Sequence, residues 1–495
     1  MKRCSTGVQG LNSILAGGFP CDRMYLIEGD PGVGKTTLAL QFLLEGLKQR
    51  ESCLYITLSE TRQELSAVAD SHEWNLDGLH VFELSALEQQ LKDVSDTTFY
   101  QPSELELNRV TKILTDTIEN LKPTRVVFDS LSELRLLAET PLRHRRQLLS
   151  LKQFFVGRQC TVLLLDDRTT ITNRDAQVQS IVHGVIALEK ASPPYGVARR
   201  TLNVVKMRGV QFKEGFHDFV IRKGGVIVFP RLVAAEHRTS YDRSVFKIEI
   251  DGLDALLGGG LHRGTSTMLM GPPGTGKSTL TLKYGYEAAK RGEISHFFLF
   301  DETLDTFFDR GSQMGVDLRP FVKSGLIKAD EIDPAEISPG ELMCRISNSV
   351  DSGNARFIVI DSVNGYLNSM PDERFLSLQL HELLSYLNHK GVITLLVLAQ
   401  QGFIGSMQSP IDLTYLSDTV ILLRHFEAAG HVKQAISVIK KRSGPHERTL
   451  REFSMDTGGI RVGEPLKQFH GVLSGIPTLR DLTSGAQPTQ RPSPP

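Results

Sequence analysis

The chain carries the same pattern twice. Gly10-Leu11 returns as Gly252-Leu253, Gly29 as Gly271, Lys35 as Lys277 and Glu60 as Glu302, every pair 242 positions apart. Asp129 and Asp361 then match at 232 positions, which places a net ten-residue deletion in the middle of the second copy. A solenoid unit repeats every ~20–50 residues, so this period is that of a whole duplicated domain. The 495 residues are expected to divide into a first domain over 1–232, a linker over 233–243, a second domain over 244–482 and a tail over 483–495. The tail is rich in Gly, Gln, Ser and Pro, cannot bury a core, and is expected to be disordered.

Each copy alternates strand and helix. In the first, residues 24–28 form an apolar run before a glycine loop, 35–46 continue as a helix, and 53–58 read as a second strand. Leu107, Val110, Leu114, Ile118 and Leu121 fall at helical spacing. Residues 126–129 and 161–166 are short apolar strands ending in acids. Near-continuous apolar strands between helices indicate a mostly parallel twisted sheet covered on both faces, an α/β class fold. Residues 185–189, 202–207 and 218–222 then follow without helices, as do 420–424 and 435–440 in the second copy, which suggests an antiparallel extension of each sheet.

Composition removes several function classes. Lys plus Arg total 56 against 57 Asp plus Glu, so the basic excess of a dedicated nucleic-acid binder is absent. No apolar run approaches the ~20 residues that span a bilayer, and the first ten residues lack the apolar region of a secretory signal. The five cysteines lie far apart with no CxxC and no histidine at zinc spacing. Free thiols in a reducing cytoplasm are the expectation.

The glycine loops carry the chemistry. Gly29-Asp30-Pro31-Gly32-Val33-Gly34-Lys35-Thr36 and Gly271-Pro272-Pro273-Gly274-Thr275-Gly276-Lys277-Ser278 both fit G-x-x-x-x-G-K-[ST]. In such a loop backbone N–H groups turn inward around phosphates, the lysine neutralises the β/γ oxygens, and the hydroxyl of Thr36 or Ser278 ligates Mg²⁺. Thr37 and Thr279 follow as first-turn residues of the helix. Asp129 and Asp361, each ending an apolar strand, are placed as the acids that hold Mg²⁺. The second strand also ends in acids, at Ser59-Glu60-Thr61 and Asp301-Glu302-Thr303. A carboxylate one strand from the phosphate loop can orient an attacking water or hydroxyl, which makes Glu60, Asp301 and Glu302 catalytic candidates beside Lys35 and Lys277, with Asp301 a further metal candidate.

The order Gly-Leu-x-x-Leu-x-x-Gly-Gly, glycine loop, strand-Glu-Thr and strand-Asp-Ser places both halves in the RecA-like ATPase superfamily. Together with the doubling and Lys206-Met207-Arg208-Gly209, it resembles the circadian clock protein KaiC family from about Thr6 to Leu482. The resemblance implies two tandem RecA-like domains, stacked as rings of a homohexamer with Mg²⁺-ATP bound between subunits. It implies that Lys206, Arg208, Lys440, Arg442 and His446 reach a neighbour's ATP, and that Ser71 and Trp74 lie near the base. It implies a first ring that hydrolyses ATP slowly, a second ring with serine/threonine autokinase and autophosphatase activity, and a KaiB-like partner on the first ring. Aligning Ser417-Asp418-Thr419 with the family's segment puts Thr414 and Tyr415 at its paired phosphosites, with Thr414 the expected acceptor.

Departures from the family pattern are specific. Ser59 stands where the family has a leading glutamate, and Asp301 is a methylene shorter at the matching place. Phe212 replaces a phosphate-contacting histidine, and Met314 and Gln313 occupy the second half's base positions. The tail does not resemble the long helical segment that binds KaiA, so KaiA-type binding is not expected. Two other readings share the motifs: a RecA/RadA-like DNA-dependent ATPase, whose channel loops would be 166–177 and 400–417, and a nucleotide-gated scaffold with weak catalysis. Those loops are not strongly basic, so nucleic acid and membrane partners are not expected.

Overall fold

The computed structural model describes residues 2–83, 102–138, 140–168, 176–368, 373–400, 413–456, 458–474 and 478–479. It divides into two compact units, 1–231 and 232–495. The tail expected to be disordered lies outside the described residues.

The principal strands of the first unit are β1 (Met24–Gly29), β2 (Cys53–Thr57), β3 (His80–Glu83), β4 (Arg125–Asp129), β5 (Thr161–Asp167), β6 (Gly184–Ala191), β7 (Arg199–Met207), β8 (Phe216–Arg222) and β9 (Gly225–Phe229). They form a nine-stranded sheet in the order β9-β8-β7-β6-β1-β5-β4-β2-β3. Every pairing from β3 through to β6 is parallel, and those from β6 to β9 are antiparallel. β1 lies near the middle and is buried at every residue. Its alternate side chains serve opposite faces: Tyr25 and Ile27 join the core with Leu38, Phe42 and Leu188, whereas Met24 and Leu26 join Ile118, Val126 and Leu148. That double burial is why the strand reads as a continuous apolar run. Helices α1 (Lys35–Lys48), α2 (Arg62–Ser71), α3 (Pro102–Leu121) and α4 (Pro141–Phe155) accompany the sheet.

The second unit repeats the plan with β10 (Ser266–Gly271), β11 (Ile294–Leu299), β12 (Ile327–Glu331), β13 (Ala355–Asp361), β14 (Ile393–Ala399), β15 (Thr419–Ala428), β16 (His431–Lys441), β17 (Arg451–Asp456) and β18 (Gly459–Pro465). Its order, β12-β11-β13-β14-β10-β15-β16-β17-β18, is that of the first sheet position for position. α5 (Lys277–Lys290), α6 (Leu304–Gln313), α7 (Pro339–Asp351) and α8 (Glu373–His389) include the counterparts of α1 and α2. Residues 233–243, expected as a linker, are docked on this unit. The short turn Ala234–His237 packs on α8, with the Ala234 N–H donating to Glu382 at 3.0 Å and the His237 ring 5.0 Å from that of Tyr386.

Strand to loop to helix is one continuous construction. The residue before each helix, Gly34 or Gly276, takes φ of +116° or +89°. A Cβ on Gly34 would meet Ile221 at 2.5 Å, and one on Gly276 would meet Met455 at 2.4 Å. Both conformation and space therefore require glycine, and the lysine that follows opens the helix at the C-terminal edge of the sheet.

Candidate functional site

In the first unit the loop 29–36 wraps back on its own lysine. Lys35 Nζ donates to Gly29 O at 2.8 Å and to Asp30 O at 3.0 Å, and Asp167 Oδ1 lies 2.6 Å away. Val33 is buried in the core. Thr36 Oγ1 donates to Asp129 Oδ2 at 3.2 Å, and Tyr55 OH donates to the same oxygen at 2.5 Å. Burial nevertheless raises the Asp129 carboxyl above the usual range. The hydroxyl of Thr36 beside the carboxylate of Asp129 is a hard-oxygen pair of the kind Mg²⁺ takes together with phosphate oxygens and waters. These two residues fit the ion.

The second loop, 271–278, has the same fold around Lys277, whose Nζ donates to Gly271 O and Pro272 O, both at 2.8 Å. Thr275 takes the buried place of Val33 and closes its hydroxyl on Pro272 O at 2.8 Å. No carboxylate pairs with Lys277 among the described residues, and desolvation pushes its ammonium down to about 8. The Ser278 hydroxyl bonds Asp361, which burial raises to about 6. Ser278 and Asp361 offer Mg²⁺ the same pair of oxygens. Thr37 and Thr279 are buried in the first helical turns.

The acids one strand over differ. Glu60 follows β2 with its N–H donating to Thr57 Oγ1 at 2.9 Å. Its Oε2 is buried without a hydrogen-bond partner, and burial, helped by the Asp129 charge, pushes the carboxyl up to about 7. Glu302 instead sits in a bidentate pair with Arg310 of α6, at 2.5 and 2.7 Å. Asp301 is exposed and accepts a hydrogen bond from Ser362.

The expected reaching cations stand elsewhere in each unit. Lys206 of β7 pairs with Val185, which is in register with Leu26 of β1. Lys440 of β16 pairs with Val420, in register with Met268 of β10. The first loop glycine lies three residues further along each strand, about 10 Å at ~3.3 Å per residue. Arg208 and Arg442 lie beyond their lysines, away from the loop. Lys206 donates to Gln179 O and Arg208 to Ser180 O. Lys440 donates to Thr414 O at 2.8 Å and Ser417 O at 2.7 Å, and Arg442 to Tyr415 O at 2.8 Å. The cations and the phosphosite segment thus share the sheet edge opposite the unit's own phosphate loop. Thr414 is half-buried and Tyr415 exposed. His446 is half-buried near the Gly258 turn.

Ser71, at the end of α2, bonds its own helix at Val68 O, 2.7 Å away. Trp74 packs against Gly225 and the His72 ring. Segments 166–177 and 400–417 fall largely outside the described residues. Asp167, Tyr55 and Arg310 were not singled out in the sequence. The 242-residue repeat could have marked two of them, since Tyr55 matches Phe297 and Arg310 matches Val68.

A mostly parallel sheet, a glycine loop feeding a helix and an acid ending a strand two places away define a P-loop nucleoside triphosphatase, here built twice. The family model for the KaiC ATPase matches residues 4–233 and again 246–467. The chain therefore belongs to the KaiC ATPase family. It is 25% identical over 480 residues to the circadian clock oscillator protein KaiC of Parathermosynechococcus lividus, covering 96% of this chain and 87% of that protein. It is 24% identical over 497 residues to the circadian clock protein KaiC3 of a Synechocystis species, covering 96% and 95%. Among the described residues no helix is long and apolar enough to cross a membrane.

Proposed function

We propose that the protein is a cytoplasmic Mg²⁺-dependent ATPase whose sites are completed between subunits of a homohexameric ring, and that its second unit transfers phosphate to Thr414 of a neighbouring copy. The observation that carries this is the separation within each unit. The phosphate loop and the Lys/Arg pair stand at opposite sheet edges, so a single unit cannot bring its own cations to its own phosphate. A second copy placed edge to edge can, and cations supplied in trans are a known way to stabilise the charge of a transferring phosphoryl group.

In the first unit Glu60 orients the attacking water and takes its proton, while Lys35 and the loop N–H groups hold the phosphates. In the second, the Thr414 oxygen forms a bond to the γ-phosphorus as the bond to ADP breaks, and its proton passes to Asp301. Glu302, held in place by Arg310, contributes alignment beside it. Bound Mg²⁺, held by Thr36 and Asp129 or by Ser278 and Asp361, supplies charge neutralisation for the phosphates. Tyr415 is a poor second acceptor, because its oxygen projects several ångströms further from the backbone than a threonine hydroxyl. A nearly neutral chain with KaiC relatives fits a signalling ring with a KaiB-like partner on the first unit better than a DNA motor.

Two inactive variants test the trans arrangement. In a Lys277→Ala background, Lys35→Ala and Arg208→Ala are each expected to abolish first-unit turnover, and mixed rings to regain part of it. Mixing without recovery, or full turnover by a monomer in sizing with light scattering, refutes it. Phosphopeptide analysis after incubation with Mg²⁺-ATP tests the acceptor, and phosphate persisting undiminished in Thr414→Ala refutes Thr414.

A further inference from the structure

An ammonium group has three N–H donors, and in the first unit all three are engaged. Lys35 Nζ is met by Gly29 O at 2.8 Å, Asp30 O at 3.0 Å and Asp167 Oδ1 at 2.6 Å. In the second unit Lys277 Nζ has Gly271 O and Pro272 O, each at 2.8 Å, and no carboxylate pairs with it among the described residues. The reason is a single side chain. Asp167, the last residue of β5, pairs with Gly29 in the parallel ladder, and Ala399, the last residue of β14, pairs with Gly271. Backbone bonds confirm the equivalence: Ser132 Oγ receives the Asp167 N–H and Asn364 Oδ1 receives that of Ala399. The next residues, Arg168 and Gln400, donate their N–H groups to Gly29 O and Gly271 O.

We infer that Asp167 is a nucleotide-selectivity residue of the first unit: its carboxylate holds the Lys35 donor that the terminal phosphate of ATP requires, and so narrows the preference of that site for ATP over ADP. This rests on the reading that the first loop binds ATP. The third phosphate must draw the lysine from Asp167 and then lie close to an anion that has lost its partner, an unfavourable like-charge approach. ADP leaves the pair less disturbed, because it adds no charge at the γ position. The Asp167 side chain is 30% exposed and that of Lys35 9% exposed, so the coupling is screened in part but not removed. The second unit, with Ala399, carries no such penalty and favours ATP more strongly. A product-tolerant first site beside an ATP-selective second one would make the first unit the more responsive to the ADP:ATP ratio.

Equilibrium binding of ADP and of the non-hydrolysable analogue AMP-PNP to the full chain tests this, with Lys277→Ala silencing the second loop. Asp167→Asn keeps the shape and removes the charge. It is expected to tighten AMP-PNP about tenfold relative to ADP, the size of an ordinary coupling between neighbouring charges, and Asp167→Glu to restore the original ratio in part. The reverse transplant, Ala399→Asp with Lys35→Ala, is expected to weaken AMP-PNP relative to ADP at the second site. An unchanged ratio in Asp167→Asn overturns the inference, and so does weaker AMP-PNP binding, which would make Asp167 a supporter of ATP instead. Absence of Lys35-dependent binding of either nucleotide in the Lys277→Ala chain overturns the reading of the loop itself, a result distinct from a ratio that fails to move.

Discussion

The two phosphate loops share a backbone and differ in almost every charge around it. In the first unit Lys35 is neutralised by Asp167, the strand-ending acid Asp129 accepts a hydrogen bond from the Tyr55 phenol, and Glu60 stands half-buried with one oxygen unpartnered. In the second, Lys277 has no carboxylate partner among the described residues, Phe297 stands in place of Tyr55, and Glu302 is clamped by Arg310 beside a second acid, Asp301. Strand order and ladder register are preserved through both units, because the central strands, such as β1 and β10, are packed on both faces and resist change. A side chain facing the loop packs on one side only and can be exchanged singly. The duplication has kept the frame and let the chemistry diverge at four or so positions.

The largest effect should come from the lone acid. With Ser59 unable to act as a carboxylate, the proposed first-unit hydrolysis rests on Glu60, and Glu60→Gln should lower it by about 10²–10⁴-fold, measured as phosphate release in a Lys277→Ala background. Because the Glu60 carboxyl is pushed up to about 7 by burial, its ionised form gains as pH rises, so turnover should climb between pH 6 and 8 with a midpoint near neutrality. A flat profile over that range would show that Glu60 is not the base. Ser59→Glu is expected to leave turnover unchanged or raise it, and a large loss would count against the whole assignment.

Arg310 gives a smaller effect and a sharper contrast. Arg310→Val installs the first unit's residue in the second and strips Glu302 of its partner. Phosphotransfer to Thr414 should fall roughly ten- to a hundredfold, the scale of a displaced rather than a missing group. The remaining activity should acquire a neutral-range pH dependence like that of the first unit, because an unpaired half-buried carboxylate is harder to ionise. Arg310→Lys should recover part of the rate. Loss of rate with an unaltered pH profile would mean that Arg310 only supports the fold of α6.

The second loop's lysine should show itself in alkaline solution. Lys277, pushed down to about 8 by desolvation, loses its proton as pH rises past that value and must recover it to bind phosphate. Nucleotide affinity at the second site should therefore fall above pH 8, by at most about tenfold per pH unit. Binding titrations at the second site with Lys35→Ala silencing the first measure this, and an affinity that stays level as pH rises past 8 would refute it.

Much of this was legible in the sequence. The doubling, the parallel sheet with its antiparallel extension, the two glycine loops and the strand-ending acids follow from patterns within a few residues, or from a repeat at fixed spacing. What was missed is what folding brings together. Asp167 reaches Lys35 across 132 positions only because β5 lies beside β1. Arg310 reaches Glu302 through two turns of a helix whose charged residues otherwise read as a solvated face. The edge strands β3 and β12 were missed because half-exposed strands such as His80–Glu83 and Ile327–Glu331 carry too little apolar pattern to register. The positions of the Lys/Arg pairs could not be read at all without the ladder register.

The smallest predicted difference lies just past Glu60 and Glu302. Thr61 caps α2 in a reciprocal arrangement: its hydroxyl accepts from Glu64 N at 3.3 Å, while the Glu64 carboxylate accepts from Thr61 N at 2.7 Å. Thr303 caps α6 with the first half alone, accepting from Thr306 N at 3.3 Å, because position 306 is a threonine with no carboxylate to return the bond. Removing the hydroxyl by Thr61→Ala should cost the first unit about 1 kcal/mol, and it also disturbs the turn that presents Glu60. Thr303→Ala should cost the second unit a comparable or smaller amount with little change in rate, since Arg310 fixes Glu302 independently of the cap. Urea denaturation of the two variants, alongside turnover of each unit, checks both halves of the statement. If Thr303→Ala slows phosphotransfer more than Thr61→Ala slows hydrolysis, then the cap and not the Arg310 pair is what places Glu302.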